Sequence, residues 1–171
     1  MKNVLNNLME KMSDIHYGYI VNGENIFKDD GTDSKELFYK NYHLLNPVDL
    51  INIKYGVCYD QVELERYYLD LENIKSDTYF IIEYDNENSN THTFIVVSEN
   101  DKYYWFEYSW HFQRGIHEYN SLDDLLRDVK NRFSMNGLYK DVRIFRYEKP
   151  AYGLGVVDFI DHCKCGKKII L

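Results

Sequence analysis

Chemistry in this chain is best sought at Tyr55-Gly56-Val57-Cys58-Tyr59-Asp60-Gln61, where a thiol follows a glycine and a small apolar residue. From Val57 to about Leu71 there is neither glycine nor proline, and the stretch reads as a helix. Cys58 then stands at a helix N-terminus, where unpaired N–H groups and the positive end of the helix dipole favour an anion. Such a setting lowers thiol pKa values below the ordinary ~8.5 and makes a nucleophile, and the same N–H groups can stabilise an oxyanion on its target. The competing reading is a buried cysteine used as a small hydrophobe, the commoner fate of a cysteine. Along the helix, Val57, Leu64, Tyr68 and Leu71 form one stripe, and Cys58, Val62, Glu65 and Leu69 form a second. Two stripes mean a helix enclosed on more than one side.

An activated thiol needs a base and something to orient it. Thr91-His92-Thr93-Phe94-Ile95-Val96-Val97 and Lys102-Tyr103-Tyr104-Trp105-Phe106-Glu107-Tyr108 read as two strands around Ser98-Glu99-Asn100-Asp101, a hairpin. A two-residue loop at Asn100-Asp101 sets His92 opposite Ser109 and puts Glu107 one diagonal away on the same face. A loop at Glu99-Asn100 pairs His92 with Glu107 directly. Both registers let the carboxylate orient the imidazole, whereas an odd loop would put them on opposite faces. His16, His43, His111, His117 and His162 also supply imidazoles. What favours His92 is its place inside an apolar strand with a carboxylate in register.

The segments Gly56-Val57-Cys58-Tyr59-Asp60, Thr91-His92-Thr93-Phe94-Ile95-Val96 and Tyr104-Trp105-Phe106-Glu107-Tyr108-Ser109-Trp110 resemble the transglutaminase-like superfamily, over roughly residues 46 to 115. The resemblance implies an antiparallel sheet packed on a central helix bearing the cysteine, an α+β fold related to the papain-like cysteine proteases. It implies Cys58 as nucleophile, His92 as general base and acid, and Glu107 as orienter. Two residues depart from the family's usual pattern: Glu107 stands where an Asp is usual, and Tyr59 where a Trp is common. Tyr59, Trp105 and Trp110 are candidates to wall a substrate cleft, with core packing as the alternative.

The surrounding elements must position these groups. Val4, Leu5, Leu8, Met9, Met12 and Ile15 mark an amphipathic N-terminal helix. A loop or short hairpin turning at Asn22-Gly23 follows, then an exposed loop over Lys28–Asp33, then a short helix with Leu37 and Phe38 capped by Asp33 or Ser34. Asn46-Pro47 starts another helix. Strands are expected at Tyr79–Tyr84, ended by Asp85–Asn90, and at Val142–Tyr147, whose alternation suggests a half-exposed strand near the sheet edge. Ser121 caps a helix over about Leu122 to Phe133. Val156–Ile160 is left unassigned, and His162-Cys163-Lys164-Cys165-Gly166 reads as a polar tail rather than a metal site. Seventeen Tyr, nine Phe and two Trp argue for a substantial sheet. Strands in runs with helices before and after indicate α+β, read as one domain over 1–171 with an N-terminal helical segment and a short C-terminal extension.

The net charge of −8 comes with scattered Lys and Arg, which removes the electrostatic footprint of a nucleic-acid binder. There is no 18-residue apolar run and no signal-peptide core, so no membrane association and a cytoplasmic location are expected. Three cysteines form no disulfide framework. The expected activity is thiol-dependent hydrolysis of an amide bond in a protein or peptide, with no cofactor and no metal. Acyl transfer to an amine and a non-catalytic binding domain are the alternatives.

Overall fold

Aromatic and β-branched residues dominate the middle of the chain because they build a sheet covered on both faces, where strands read as continuous apolar runs. The structure, a computed structural model, describes residues 1–27, 35–84, 90–135 and 137–171. Its helices among the described residues are α1 (Lys2–Lys11), α2 (Lys35–Asn41), α3 (Pro47–Ile53), α4 (Cys58–Leu71), α5 (Leu122–Phe133) and α6 (Val156–Lys164). The main sheet has strands β5 (Ser76–Glu83), β6 (Thr91–Glu99), β7 (Lys102–Glu107), β8 (Gly115–Tyr119), β9 (Val142–Tyr147) and β10 (Lys167–Ile169). Their order is β10-β9-β5-β6-β7-β8, and every neighbouring pair is antiparallel. Four two-residue strands complete the set: β1 (His16–Tyr17), β2 (Ile20–Val21), β3 (Glu24–Asn25) and β4 (Tyr55–Gly56). The fold is α+β.

Alternation along the strands separates two cores. Phe80, Ile82, Ile95, Val97 and Phe106 face α1, α4 and α6, where they meet Leu5, Val62, Leu64 and Phe159. Tyr79, Ile81, Phe94, Val96 and Trp105 point the other way and pack under Leu125, Leu126 and Val129 of α5. Helix α4 is buried almost all round over its first two turns, from Cys58 to Glu65, so it is enclosed more fully than two stripes suggest.

Several local signals act as read. Asn46 accepts a hydrogen bond from Asp49 N–H at 3.0 Å ahead of Pro47, and Ser121 accepts one from Asp124 N–H at 3.1 Å. Asn22 and Gly23 turn between β2 and β3 with φ of 52° and 84°. The capping role expected of Asp33 or Ser34, the Lys28–Asp33 loop and most of Asp85–Asn90 lie outside the described residues.

The chain departs from expectation at its C-terminal end. Strand β9 lies near the edge as expected, one strand in with β10 outside it, but it is less exposed than expected, since four of its six residues are buried. Val156–Ile160 opens helix α6, and His162–Gly166 is no polar tail. Cys163 is fully buried on that helix, and its thiol is pushed up by burial. Glycine at 166 is demanded there, since a Cβ would fall 2.2 Å from the Arg146 carbonyl oxygen. Strand β8 carried too little apolar content to be foreseen.

Candidate active site

Cys58 is the first residue of α4, and the turn ahead of it is tied on three sides. Asp60, in the first turn of the helix, reaches back to accept from Val57 N–H at 2.9 Å. Its other oxygen accepts from Leu45 N–H at 2.9 Å and from the Tyr42 hydroxyl at 3.0 Å. Burial pushes this carboxyl up to about 7, against the pull of those same hydrogen bonds. Gln61 donates to the Gly56 carbonyl at 2.8 Å. Gly56 has no room for a side chain, because a Cβ would meet Leu50 Cδ1 at 2.7 Å and Asp60 Cβ at 2.9 Å. Strand β1 runs parallel to β4, pairing His16 with Tyr55 and Tyr17 with Gly56, so the N-terminal segment flanks the cysteine turn.

The hairpin of β6 and β7 turns at Asn100-Asp101, both with positive φ (50° and 60°), and Glu99 pairs with Lys102. Of the two registers, this is the one that sets Glu107 on a diagonal from His92. Backbone pairing of β6 with β7 stops at Ile95 and Phe106, while β6 stays paired with β5 as far as Thr91. The strands therefore part just before His92 and Glu107, and those side chains meet at the opening.

His92 is buried, and its Nε2 lies 2.8 Å from Glu107 Oε2. That contact leaves Nδ1 for Cys58, whose side chain is a close electrostatic neighbour of the imidazole without an aligned hydrogen bond to it. Such contacts are often loose before substrate binds. Burial opposes a charged His92, but the Glu107 carboxylate, its hydrogen bond and the nearby Cys58 side chain outweigh it and raise the imidazole to about 10. Glu107 shows the reciprocal effect. Burial works against its charge, yet His92 and the hydrogen bonds below hold it under the usual carboxylate range.

Glu107 is clamped by four donors. Oε2 also accepts from Trp105 Nε1 at 3.2 Å, while Oε1 accepts from Trp110 N–H at 2.7 Å and Ser109 Oγ at 3.2 Å. The extra methylene of a glutamate is absorbed because the chain leaves β7 at Tyr108 and curls back, bringing Ser109 and Trp110 onto the far oxygen. The Trp110 ring stands edge-on to His92, with centroids 5.4 Å apart.

A family model described as a transglutaminase-like domain matches residues 6–131. The chain belongs to that family. No curated protein matches the chain. In this transglutaminase-like domain the matched residues run from within α1 to near the end of α5, well beyond the segments that carry the resemblance in sequence. Strands β9 and β10 and helix α6 lie outside the match.

His92 opens onto a cleft of 1310 Å³. Trp110 lines it, whereas Tyr59 and Trp105 lie in the two cores, with Tyr59 stacked on Phe159 and bonded to the Thr91 hydroxyl. Cys58 is not among the residues that line the cleft and keeps only 6 % of its surface accessible. Two features were not legible from residue types alone. One is the β1 strap, too short to have a period. The other is Asp60, for which an acid in the first helical turn was the available signal. A third buried acid, Glu65, lies on the Cys58 stripe. Burial, and then the nearby Glu107 charge, hold its carboxyl well above the usual range.

Proposed function

We propose that this domain is a thiol-dependent amide-bond hydrolase that works through a thioester at Cys58. The observation that carries the reading is the placement of one imidazole between the Cys58 thiol and a buried, four-fold clamped carboxylate. The thiol proton passes to His92 Nδ1, a transfer that the raised imidazole pKa favours before substrate arrives, and the Cys58 sulfur attacks the amide carbonyl carbon. The new oxyanion lies at the start of α4, where the Cys58 N–H has no intrahelical acceptor and can donate to it. Collapse of the adduct breaks the C–N bond, and His92 gives its proton to the departing amine. Water then attacks the thioester with His92 as base, the C–S bond breaks, and the proton returns to the sulfur. Glu107 fixes the tautomer that presents Nδ1 to sulfur and balances the imidazolium. On this reading residues 1–171 act as one domain, with the cysteine helix held against the sheet.

The test is covalent. Purified protein treated with a peptide bearing a carbonyl-type electrophile should form a one-to-one adduct mapped to Cys58, and His92→Ala should abolish it. Partition of the acyl-enzyme between water and an added primary amine then separates hydrolysis from acyl transfer. No adduct in folded protein would overturn the reading in favour of a binding domain.

A further inference from the structure

The cleft differs in charge from the chain that surrounds it. The sequence holds 28 Asp and Glu against 20 Lys and Arg. Acids make up roughly one residue in six, so about three would be expected along a cleft of this extent. Among the described residues none lines it, whereas Arg114 and Arg132 do. A concave surface of this sign on an acidic protein concentrates anions.

The two arginines are not equivalent. Arg132 is occupied, with its guanidinium 2.9 Å from Asp128 and bonded to Gln113. Arg114 makes no ion pair among the described residues. Its Nε donates to the Tyr108 carbonyl at 2.7 Å, and its guanidinium lies 4.1 Å above the Tyr108 ring. These two anchors fix the plane of the group and leave its outer nitrogens as a preset fork, the geometry that takes a carboxylate in two hydrogen bonds. Tyr108 directly follows Glu107, so the fork is tied to the chain one residue beyond the partner of His92. Next to it the cleft wall is aromatic: Trp110, Phe133 and Tyr139 line it with Phe112, whose ring is 87 % exposed.

We propose that Arg114 is a specificity-determining residue that binds a carboxylate of a polypeptide segment lying in this cleft, with an apolar side chain of the same segment against the Trp110 and Phe112 wall. The proposal extends the hydrolase reading by naming its substrate class, an acidic peptide. The carboxylate belongs either to an Asp or Glu side chain or to a chain terminus, and the two sources are separable.

The experiment measures binding without turnover, so that it stands whether or not hydrolysis is found. Full-length Cys58→Ala protein is titrated by fluorescence polarisation with a positional library of labelled ten-residue peptides. The best binders are remade with Gln for Glu, Asn for Asp, and with an amidated C-terminus. A carboxylate-bearing peptide should bind about tenfold or more tightly than its neutral counterpart, and the advantage should shrink as salt rises. Loss on side-chain amidation identifies an internal acid, and loss on terminal amidation identifies the C-terminus. In the same background Arg114→Gln should erase the preference while neutral peptides bind as before, and Arg114→Lys should restore part of it. Arg114 is exposed, so its variants should keep the parent melting temperature, which checks the fold. No binding by any peptide, equal binding of acidic and neutral peptides, a preference untouched by Arg114→Gln, or tighter binding of a single-stranded oligonucleotide would each overturn the proposal.

Discussion

Glu107→Gln is the substitution that most directly separates an orienting carboxylate from a buried polar filler. The four donors around Glu107 decide what the amide can do. If its oxygen faces His92 and Trp105, its NH₂ is pressed against the Trp110 N–H, and one donor loses its acceptor. If the amide flips, its NH₂ faces the Trp105 indole N–H and forces His92 Nε2 to accept. The proton then sits on Nδ1, where it cannot receive another from the thiol. One buried donor is unsatisfied in either case, at a cost of about 1–3 kcal/mol, so the fold must be checked by its melt. The effect on chemistry is larger. Glu107 is the chief group raising His92 to about 10, and without it burial works unopposed by a carboxylate. The imidazole should then lose its charge at lower pH. Turnover, or the rate of Cys58 adduct formation, should fall on the order of a hundredfold to ten-thousandfold. NMR of the His92 ring against pH should show its titration moving to lower pH. Glu107→Asp keeps the charge but cannot span both His92 and the Trp110 N–H, and it should fall between. Folded Glu107→Gln protein with unchanged rates and an unmoved His92 titration would refute the role of this carboxylate and leave a dyad of Cys58 and His92.

At pH 6, iodoacetamide should modify Cys58 roughly tenfold or more faster than exposed Cys165, because His92 takes the proton, while fully buried Cys163 stays unlabelled. Peptide mapping of wild type and His92→Ala checks this, and equal labelling of Cys58 and Cys165 would count against activation. Asp60 binds its proton more tightly folded than unfolded, since burial lifts it to about 7. Its contribution to stability is therefore complete below the unfolded value and is lost as pH rises toward 7, by an amount on the order of a few kcal/mol. Urea midpoints between pH 4 and 6.5 should fall more steeply for wild type than for Asp60→Asn, and parallel curves would remove Asp60 as the cause. Gly56→Ala should cost about 1–3 kcal/mol by driving α3 from α4, whereas Gly155→Ala, whose Cβ would meet atoms only at 3.9 Å, should cost less. Thermal melts of the two variants decide it.

The convergence of Cys58, His92 and Glu107 was legible because each sits beside a strong local signal. Gly-Val-Cys opens a long helix free of glycine and proline, and the Asn100-Asp101 turn fixes a register that carries His92 and Glu107 on one face. The C-terminal elements were harder. Val142–Tyr147 alternates like an edge strand because Arg143 and Arg146 extend over the surface, with Arg146 paired to Asp77 at 2.6 Å, although the backbone is flanked on both sides. Strand β8 is short and polar, held by pairing with β7 more than by its own side chains. Neither the β1 strap nor the contacts of Asp60 with residues 42 and 45 follows from periodicity, since both depend on tertiary closure.

The enclosure of α4 explains why so many polar groups are buried beside the cysteine. A helix buried all round at its N-terminus must satisfy its free N–H groups from within the protein, because water cannot reach them. Asp60 meets that need, and through Leu45 and Tyr42 it also fixes the chain leading into α3. Glu63 pairs with Arg66 at 3.0 Å toward the sheet's far end, where Arg66 also bonds Thr78. Glu65 is different, having no hydrogen bond or ion pair among the described residues, and its electrostatic neighbours are Glu107, His92, Glu63 and Cys58. With its proton held more tightly than usual, it resists becoming a second anion beside the imidazolium, and the groups that raise His92 are Glu107 and Cys58. Ionising it would strengthen the imidazolium further and make its proton harder to give to a leaving amine. An acid that resists ionisation on the cysteine stripe thus lets α4 pack tightly under the site while disturbing little of the charge balance that the proposed chemistry needs.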